Sequence, residues 1–381
     1  MTAIRVHLPG VAGSAPGTAA ADDRSYDIHV GPGLLAEVGP LLRAAAATRA
    51  VVISDAAVAG SHAAAVVRSL EAVGVSVSTC IVPSGEGSKS IAGASRLWDE
   101  FARLAVDRGT QVVAVGGGVV GDLAGFVAAT FARGLAVWHV PTTVVAQVDS
   151  AIGGKTGINL AGGKNLVGAF WQPRGVIADI DALASLPDRE FTSGLAEVVK
   201  YGMILDAEFL SWLETHAAAL RGRKPGELTH AIERSAALKA GVVSADEREV
   251  TGLRVILNYG HTFAHALETG AGYGTLLHGE AVAIGMTAAA RLAARLGRIG
   301  RQIVERQDRL LDALGLPRTA PAAGSVEDLL AVMARDKKSV AGRLRFVLPS
   351  RIGHVELVDG VDEAAVRDVL QGLTPTKPVA S

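Results

Sequence analysis

The chain has 381 residues, of which 49% are apolar, enough to bury a large core and to form about two domains. Its 37 Lys and Arg residues and 38 Asp and Glu residues give a formal net charge of −1, and no basic stripe indicates a nucleic-acid or membrane-surface partner. The single cysteine, Cys80, excludes an intrachain disulfide and a cysteine-based zinc site. No signal peptide or long apolar run is visible, so we expect a soluble cytoplasmic protein.

Short apolar strands alternate with helices through the first half of the chain. Residues 1–20 are rich in Gly, Ala and Pro, and we expect them to be frayed in part. Helices are predicted after GPG (31–33), over 62–74 and over 90–106. β-branched or alternating runs predict strands at RSYDIHV (24–30), AVVISD (50–55), VSVSTCIVP (75–83) and QVVAVGGG (111–118). This order predicts an α/β fold with a Rossmann-like, doubly wound parallel sheet.

The pattern changes after WQPRGVIADIDALASLP (171–187). From there to about residue 315 nearly every segment has the periodicity of a helix, and RLRFVLPSRIGHVELV (343–358) predicts a small hairpin. We therefore predict an N-terminal nucleotide-type α/β domain over residues 1–183 and a mainly helical domain over residues 184–381.

A glycine turn follows the strand at 111–118. Gly116, Gly118 and Gly121 have the G-x-G-x-x-G spacing, which lets backbone N–H groups at a helix start approach a pyrophosphate. A glycine turn that binds nothing is the alternative. Asp55, at the end of an earlier strand, is a candidate ligand for ribose hydroxyls or, alternatively, a helix cap.

Residues 140–168, VPTTVVAQVDSAIGGKTGINLAGGKNLVG, have the composition of a long glycine-rich loop. Asp149, Lys155, Lys164 and Asn165 lie in it together with a threonine pair. Lysines among glycines suit phosphate, because the backbone can approach closely and the ammonium supplies charge. A solvated surface loop is the alternative, but so many polar groups favour a binding function.

Three histidines lie within residues 261–278. His261 and His265 are four residues apart and share a helical face, a geometry that suits chelation of a divalent ion, and His278 is a further candidate. The alternative for each is a hydrogen-bonded core histidine.

His278 and a carboxylate would complete a catalytic zinc set. Glu197 lies on an apolar helix, where a carboxylate is costly unless it is paired or coordinated, and Lys200 follows one turn later. Glu268 and Glu280 are rival carboxylates, and periodicity does not choose among the three.

Seven blocks make the chain recognisable. In order from about residue 24 to 358, it resembles the 3-dehydroquinate synthase family of the sugar phosphate cyclase superfamily. The blocks are GGGVVGDLAGF, VPTTVVAQVDSAIGGKTGIN, GKNLVGAFWQP, SGLAEVVKYG, DEREVTGLRVILNYGHTFAHALE, HGEAVAIGM and the DKK at 336–338.

The resemblance implies NAD and one divalent metal (Zn²⁺ or Co²⁺) as cofactors, a homodimer, and a shikimate-pathway reaction. The implied reaction converts 3-deoxy-D-arabino-heptulosonate 7-phosphate to 3-dehydroquinate and phosphate. Its steps would be transient oxidation by NAD, β-elimination of phosphate, reduction and intramolecular aldol closure.

Motif by motif, the resemblance also implies roles for particular residues. The implied metal ligands are Glu197, His261 and His278, which replaces the pairing of His261 with His265. The implied NAD-binding positions are Asp55, Glu86, Lys89, Gly117, Gly118, Asp122, Thr142, Thr143, Lys155, Lys164 and Ser185. The implied substrate positions are Asp149, Lys155, Asn165, Lys200, Lys239, Arg254, Asn258 and His265. Arg133 would reach the partner subunit's phosphate site, and Lys337 or Lys338 would close on the substrate.

Other functions share some of these features. A related cyclase, such as aminodehydroquinate synthase, would use an amino analogue, while others make valiolone- or inosose-type rings. The intact GGKTGIN and GKN segments and Arg254 favour the carboxylate-bearing heptulosonate. A metal- and NAD-dependent polyol dehydrogenase would not need the phosphate-holding lysines and Asn165, and a non-catalytic NAD-binding scaffold would not need the metal positions.

Overall fold

The structure is a computed structural model, and the chain forms two compact units. The first comprises Met1–Leu186 and Ile232–Arg248, and the second comprises Pro187–Ala231 and Glu249–Ser381. The sequence predicts functional domains with one boundary, between residues 183 and 184, and this boundary stays a prediction; no sequence pattern marked Ile232–Arg248 as part of the first unit. The described residues are 1–8, 10, 23–272, 274–320, 324–335 and 344–373.

A seven-stranded sheet is the centre of the first unit. The strands of this unit are β1 (Thr2–Val6), β2 (Tyr26–Gly31), β3 (Arg49–Asp55), β4 (Ser76–Val82), β5 (Gln111–Gly116), β6 (Val137–Pro141), β7 (Lys155–Leu160), β8 (Gly163–Phe170) and β9 (Gly175–Asp179). The sheet order is β1-β2-β9-β6-β5-β3-β4, and all its pairs are parallel except β1 with β2. The predicted doubly wound α/β sheet is confirmed.

Helices cover both faces of this sheet. They are α1 (Val38–Ala44), α2 (Ala64–Ala72), α3 (Ile91–Arg103) and α4 (Gly118–Thr130). Successive residues of β3 alternate between two cores, because Val51 and Ile53 pack with α3 and α4, whereas Ala50 and Val52 pack with α1 and α2. Full burial of such a Val or Ile side chain stabilises the fold by about 1.5–3 kcal/mol. Two-sided burial explains why the strands are continuous apolar runs.

Thr2–Val6 pairs with Tyr26–Val30 as an antiparallel edge strand. The fraying expected for part of residues 1–20 is not tested for residues 9 and 11–20, which lie outside the described residues. One sequence expectation needs correction here. The prediction of a long loop over residues 140–168 is wrong for its second half, where β7 and β8 form an antiparallel hairpin. A Cβ added at Gly157 or Gly168 would lie 2.7 Å or 2.2 Å from a carbonyl oxygen of the opposite strand. The glycines that suggested a loop therefore permit close strand pairing.

The second unit is mainly helical, as predicted. Its helices are α5 (Asp188–Leu205), α6 (Ala207–Arg221), the start of α7 (Pro225–Ala245), α8 (His261–Ala271), α9 (His278–Arg295), α10 (Arg301–Leu314), α11 (Val326–Arg335) and α12 (Glu363–Gln371). The predicted hairpin is confirmed as β10 (Arg345–Arg351) and β11 (His354–Asp359). Helices α5 and α9 are buried over most of their length. None of the helices in the described ranges combines the length and apolar character needed to traverse a lipid bilayer.

Candidate active site

The glycine turn joins the end of β5 to the start of α4, as the sequence predicted. Crowding, not unusual torsion angles, requires glycine here. A Cβ at Gly117 would lie 3.1 Å from Thr143 Cγ2, and one at Gly118 would lie 2.9 Å from Ser150 Oγ. Because Gly117 and Gly118 carry no side chains, their own turn does not cover the backbone at the start of α4, and such a helix start is suited to phosphate binding.

Thr142 and Thr143 hold the segment opposite this turn. The Thr142 N–H donates to the Gly116 carbonyl over 3.0 Å, and Thr143 Oγ1 accepts from the Ala146 N–H over 3.2 Å. The structure thus brings both threonines to the glycine turn.

Lys89 and Asp122 form an ion pair beside the same helix. Their side chains are 6% and 20% exposed. Burial raises the pKa of the Asp122 carboxyl, and the Lys89 ammonium offsets part of that rise. Lys89 follows the short helical turn Glu86–Ser88, so Glu86 lies in the same segment.

One residue of this region was missed by the sequence analysis. Asn159, on β7, hydrogen-bonds both the Glu86 carboxylate, over 2.7 Å, and the Asn165 backbone N–H, over 2.9 Å. Its side chain therefore links two predicted ligand-binding positions. No periodicity or motif spacing indicates the link to Glu86, because Glu86 lies 73 positions from Asn159 in sequence.

Asp55 and Ser185 have local partners. Asp55 Oδ1 accepts hydrogen bonds from the Ala57 N–H over 2.8 Å and from Ser84 Oγ over 3.0 Å, and the first of these forms an Asx turn. Ser185 Oγ lies 2.8 Å from His62 Nε2. A role for either residue toward NAD stays a prediction.

The second half of α7 supplies Lys239. Its ammonium donates to Asp149 Oδ1 over 2.8 Å and also to the Asp149 carbonyl. Both residues belong to the first unit, and the Lys239 side chain is 6% exposed. The structure thus brings these two predicted substrate positions together.

The β7–β8 hairpin carries the remaining polar residues of the segment that was predicted as a loop. Lys155 begins β7 and is exposed, while Lys164 and Asn165 lie at the start of β8. Asn165 has a φ of 56°, in the left-handed region that a non-glycine residue seldom occupies.

A possible metal centre lies in the second unit. Glu197 comes from α5, and His261 and His278 are the first residues of α8 and α9. One ligand atom from each lies within 4.8 Å of the others. The Nε2 atoms of His261 and His278 are 3.6 Å and 3.4 Å from Glu197 Oε1. Gly260, with a φ of 80°, precedes α8 and allows the turn that presents His261.

The electrostatics of this cluster are those of a buried carboxylate with several cationic or neutral partners. Glu197 is fully buried and forms an ion pair with Lys200, which is itself 1% exposed. Burial, followed by the Lys200 ammonium, lowers the pKa of His261, which favours the neutral imidazole that a metal binds. Burial lowers the pKa of His278, but the neighbouring Glu197 and Glu268 carboxylates outweigh it and raise that pKa to about 10.

The structure distinguishes the residues that competed with this set. The exposed His265 lies with its ring centroid 5.8 Å from that of His261, outside the cluster. Glu280 pairs with Arg189 and accepts from the Leu277 N–H, which caps α9. Glu268 faces the far side of His278, with Oε1 3.7 Å from Nδ1. A carboxylate there suits the support of a metal-binding imidazole more than direct coordination.

The other predicted positions lie in turns. Arg254 is 2% exposed, with Nε 3.9 Å from Glu249 Oε1, and Asn258 ends the same short helical turn, Leu253–Asn258. Arg133 is exposed and has a φ of 69°, directly after Ala132 with a φ of 49°. Lys337 and Lys338 lie outside the described residues.

Comparison with known proteins agrees with this architecture. Two family profiles match consecutive segments, 3-dehydroquinate synthase N-terminal over residues 79–193 and 3-dehydroquinate synthase C-terminal over residues 194–339. A protein from Rhodopirellula baltica named 3-dehydroquinate synthase is 50% identical over 351 residues, which cover 90% of this chain and 93% of the relative.

Two solved structures are similar over nearly the whole chain. One is 2-deoxy-scyllo-inosose synthase complexed with carbaglucose-6-phosphate, NAD⁺ and Co²⁺ (TM-score 0.85, 29% identity, 92% of this chain and 97% of that one). The other is 2-epi-5-epi-valiolone synthase from Streptomyces hygroscopicus with NAD⁺ and Zn²⁺ bound (TM-score 0.85, 29% identity, 93% and 98%).

The fold is that of the sugar phosphate cyclases. Within that class, the chain belongs to the 3-dehydroquinate synthase family.

Proposed function

We propose that this protein is an NAD- and metal-dependent lyase that converts 3-deoxy-D-arabino-heptulosonate 7-phosphate to 3-dehydroquinate and phosphate. The observation that carries the proposal is the cluster of Glu197, His261 and His278. It lies in a chain that is 50% identical to a relative named 3-dehydroquinate synthase. This activity belongs to the shikimate pathway toward aromatic amino acids.

The three clustered side chains fit a divalent metal. Two imidazole nitrogens and one buried carboxylate form a common ligand set of catalytic zinc sites, which keep a further position open for substrate. A bound Zn²⁺ or Co²⁺ would act as a Lewis acid on substrate hydroxyls and lower the pKa of the one that is oxidised. Glu268 would orient the His278 ring through its Nδ1 atom.

The first unit fits a dinucleotide. The start of α4 at Gly117 and Gly118 would bind the pyrophosphate through backbone N–H groups. We assign the surrounding contacts to Asp55, Glu86, Lys89, Asp122, Thr142, Thr143, Lys155, Lys164 and Ser185. NAD bound there would accept a hydride from the substrate and return it within the same turnover.

The substrate is an anion with a phosphate and a carboxylate, and several residues have matching chemistry. Lys155, Asn165, Asn258 and His265 would hold the phosphate through cationic and amide donors. The Arg254 guanidinium would bind the carboxylate with two parallel hydrogen bonds, which lysine does not provide. Asp149, Lys200 and Lys239 would contact the sugar hydroxyls, and Lys337 or Lys338 would approach the bound substrate.

We further propose a cytoplasmic homodimer in which Arg133 contacts the substrate phosphate of the partner subunit. Four apolar side chains of the β7–β8 hairpin are more than one third exposed, and they make this hairpin a candidate dimer surface: Leu160, Leu166, Val167 and Phe170. Sedimentation of the Phe170→Glu variant, compared with that of the wild type, tests this surface. An unchanged dimer would exclude the hairpin from the dimer interface.

Phosphate release and NADH absorbance, followed together, test the proposed activity. With the heptulosonate phosphate, a divalent ion and NAD well below the substrate concentration, we expect many turnovers and no lasting NADH. One NADH released for each substrate consumed would support a polyol dehydrogenase instead. Turnover of only the amino analogue would support an aminodehydroquinate synthase.

A further inference from the structure

Asn159 connects three segments of the first unit through short hydrogen bonds. Its Nδ2 donates to Glu86 Oε1 over 2.7 Å, and its Oδ1 accepts from the Asn165 N–H over 2.9 Å. Its backbone N–H donates to the Lys89 carbonyl over 2.9 Å, and a parallel bridge joins Asn159 to Ser90. The β7 strand is thereby attached to the turn that carries Glu86.

The chemistry of the two side-chain contacts requires an amide. An ionised Glu86 only accepts hydrogen bonds, and the Asn165 N–H only donates. Asparagine supplies one donor and one acceptor from the same planar group. An aspartate at this position would direct a second carboxylate at Glu86, whereas a leucine would satisfy neither neighbour.

The contact to Asn165 also supports a left-handed backbone conformation. Asn165 has a φ of 56°, in a region that few non-glycine residues occupy, although asparagine tolerates it better than most. The Asn159 side-chain oxygen Oδ1, which accepts a hydrogen bond from the Asn165 N–H, restrains this conformation. Because Asn159 is half-buried and Asn165 is exposed, the inner residue holds the outer one.

We propose that Asn159 is a positioning residue that couples the nucleotide side of the site to the phosphate side. It holds Glu86, assigned above to NAD, at a fixed distance from Asn165, assigned above to the substrate phosphate. The inference rests on the proposed function for these two assignments. Loss of the amide is expected to weaken NAD binding and to raise the KM for the substrate together, without direct contact between Asn159 and either ligand.

A reciprocal exchange of chemical groups tests this link. Asn159→Asp keeps an acceptor for Asn165 but loses the donor to Glu86. Glu86→Gln places an amide donor at the other end of the contact. In the double variant Asn159→Asp/Glu86→Gln, the new amide donates to the new carboxylate, so the hydrogen bond is restored with its direction reversed.

NAD affinity is measured by titration without substrate, and the KM for the sugar phosphate is measured separately. A hydrogen bond to a charged group contributes about 1.5–3 kcal/mol. Asn159→Asp should therefore raise both the Kd for NAD and the KM for the sugar phosphate by about 10- to 100-fold. In the double variant both constants should return to those of Glu86→Gln alone. Gln172→Glu is the matched control: it makes the same exchange facing Glu247, 3.3 Å away, and should leave NAD affinity unchanged.

Multiplicative effects in the double variant, or wild-type affinities in Asn159→Asp, would overturn the coupling while leaving the proposed function intact. A wild-type protein that neither binds NAD nor releases phosphate would overturn both. Thermal unfolding of each variant separates a loss of contact from a loss of folding, since the coupling predicts rescue of NAD affinity at equal folded fraction.

Discussion

The Lys239 ammonium binds Asp149 at both its carboxylate and its backbone carbonyl, across ninety positions of sequence. The pair is largely shielded from water, so removal of the cation would leave the Asp149 carboxylate without this partner.

We expect Lys239→Met to lower kcat/KM by about 100-fold, because small displacements of a substrate-binding group have effects of that size. Lys239→Arg keeps the charge and should retain part of the activity. The exposed Lys224, replaced in the same way by methionine, is the control. Steady-state kinetics measure the effect, and full activity in Lys239→Met would remove both residues from the proposed substrate set.

The proposed metal ligands can be distinguished from their neighbours by metal content. Glu197→Ala, His261→Ala and His278→Ala should each lose bound metal, whereas His265→Ala should keep the metal and lose turnover. Glu268→Gln should keep the fold and weaken metal binding by about 10- to 100-fold, the usual effect of removing an outer carboxylate. Metal analysis after dialysis measures all five. Retention in His278→Ala with loss in His265→Ala would restore the pairing of His261 with His265.

The glycine turn can be tested through the crowding at Gly118. A Cβ in Gly118→Ala would meet Ser150 Oγ at 2.9 Å, which should destabilise the fold by about 1–3 kcal/mol. Ser150→Ala removes that oxygen, so the double variant should recover stability. If the turn binds the pyrophosphate, NAD affinity should stay low in the double variant, because the added methyl group remains at the helix start. Recovery of NAD affinity together with stability would count against direct binding by this turn.

His139 should make stability depend on pH. It lies in β6 with 5% of its surface exposed, and burial lowers the pKa of its imidazole to about 4 from the ordinary 6.5. At pH values between these two pKa values, the imidazole is protonated in the unfolded chain and neutral in the folded chain. Stability is therefore lost as the pH falls. From about pH 7 to about pH 5 this group alone should lower the free energy of unfolding by about 2 kcal/mol.

His139→Gln removes this titration while keeping a side chain of similar size. Urea unfolding of the wild type and the variant at both pH values gives the difference, in which shared titrating groups cancel. Equal pH dependence in the two proteins would show that His139 takes up its proton in the folded state as readily as in the unfolded one.

Arg133 allows a test of shared sites. Arg133→Ala should raise the KM and slow turnover while metal content and fold stay intact. When it is mixed with His261→Ala, each heterodimer has one site lacking both groups and one complete site. Random exchange should therefore restore about a quarter of wild-type activity. No recovery after exchange verified by mass spectrometry would exclude the shared site.

The sequence predicted those features that depend on short-range pattern. β-branched runs indicated the parallel sheet because both of its faces are buried, as Val51 and Val52 illustrate. The β7–β8 hairpin was missed because Gly157 and Gly168, which allow the strands to approach, are also the residues typical of loops.

For the site, residue type indicated a metal, but periodicity alone favoured the pair His261 and His265, whereas the side chains that cluster are those of Glu197, His261 and His278. Glu197 approaches His261 and His278 only through the packing of α5, α8 and α9, and a one-dimensional pattern does not contain that packing. The set of Glu197, His261 and His278 was implied by the family resemblance. The sequence analysis missed Asn159, because its proposed role depends on which groups contact its amide nitrogen and oxygen. The sequence alone does not identify those groups.

The path of α7 has a consequence for experiments with fragments. The helix starts in the second unit and its residues from Ile232 onward belong to the first, so the backbone passes between the units at three places along the chain. A polypeptide ending at Leu186 would lack Lys239, as well as Glu247, which pairs with Arg24 over 2.9 Å. We therefore expect that no single cleavage yields two autonomously folding halves, and that gene fusions or permutations will succeed only if they keep Ile232–Arg248 with the sheet.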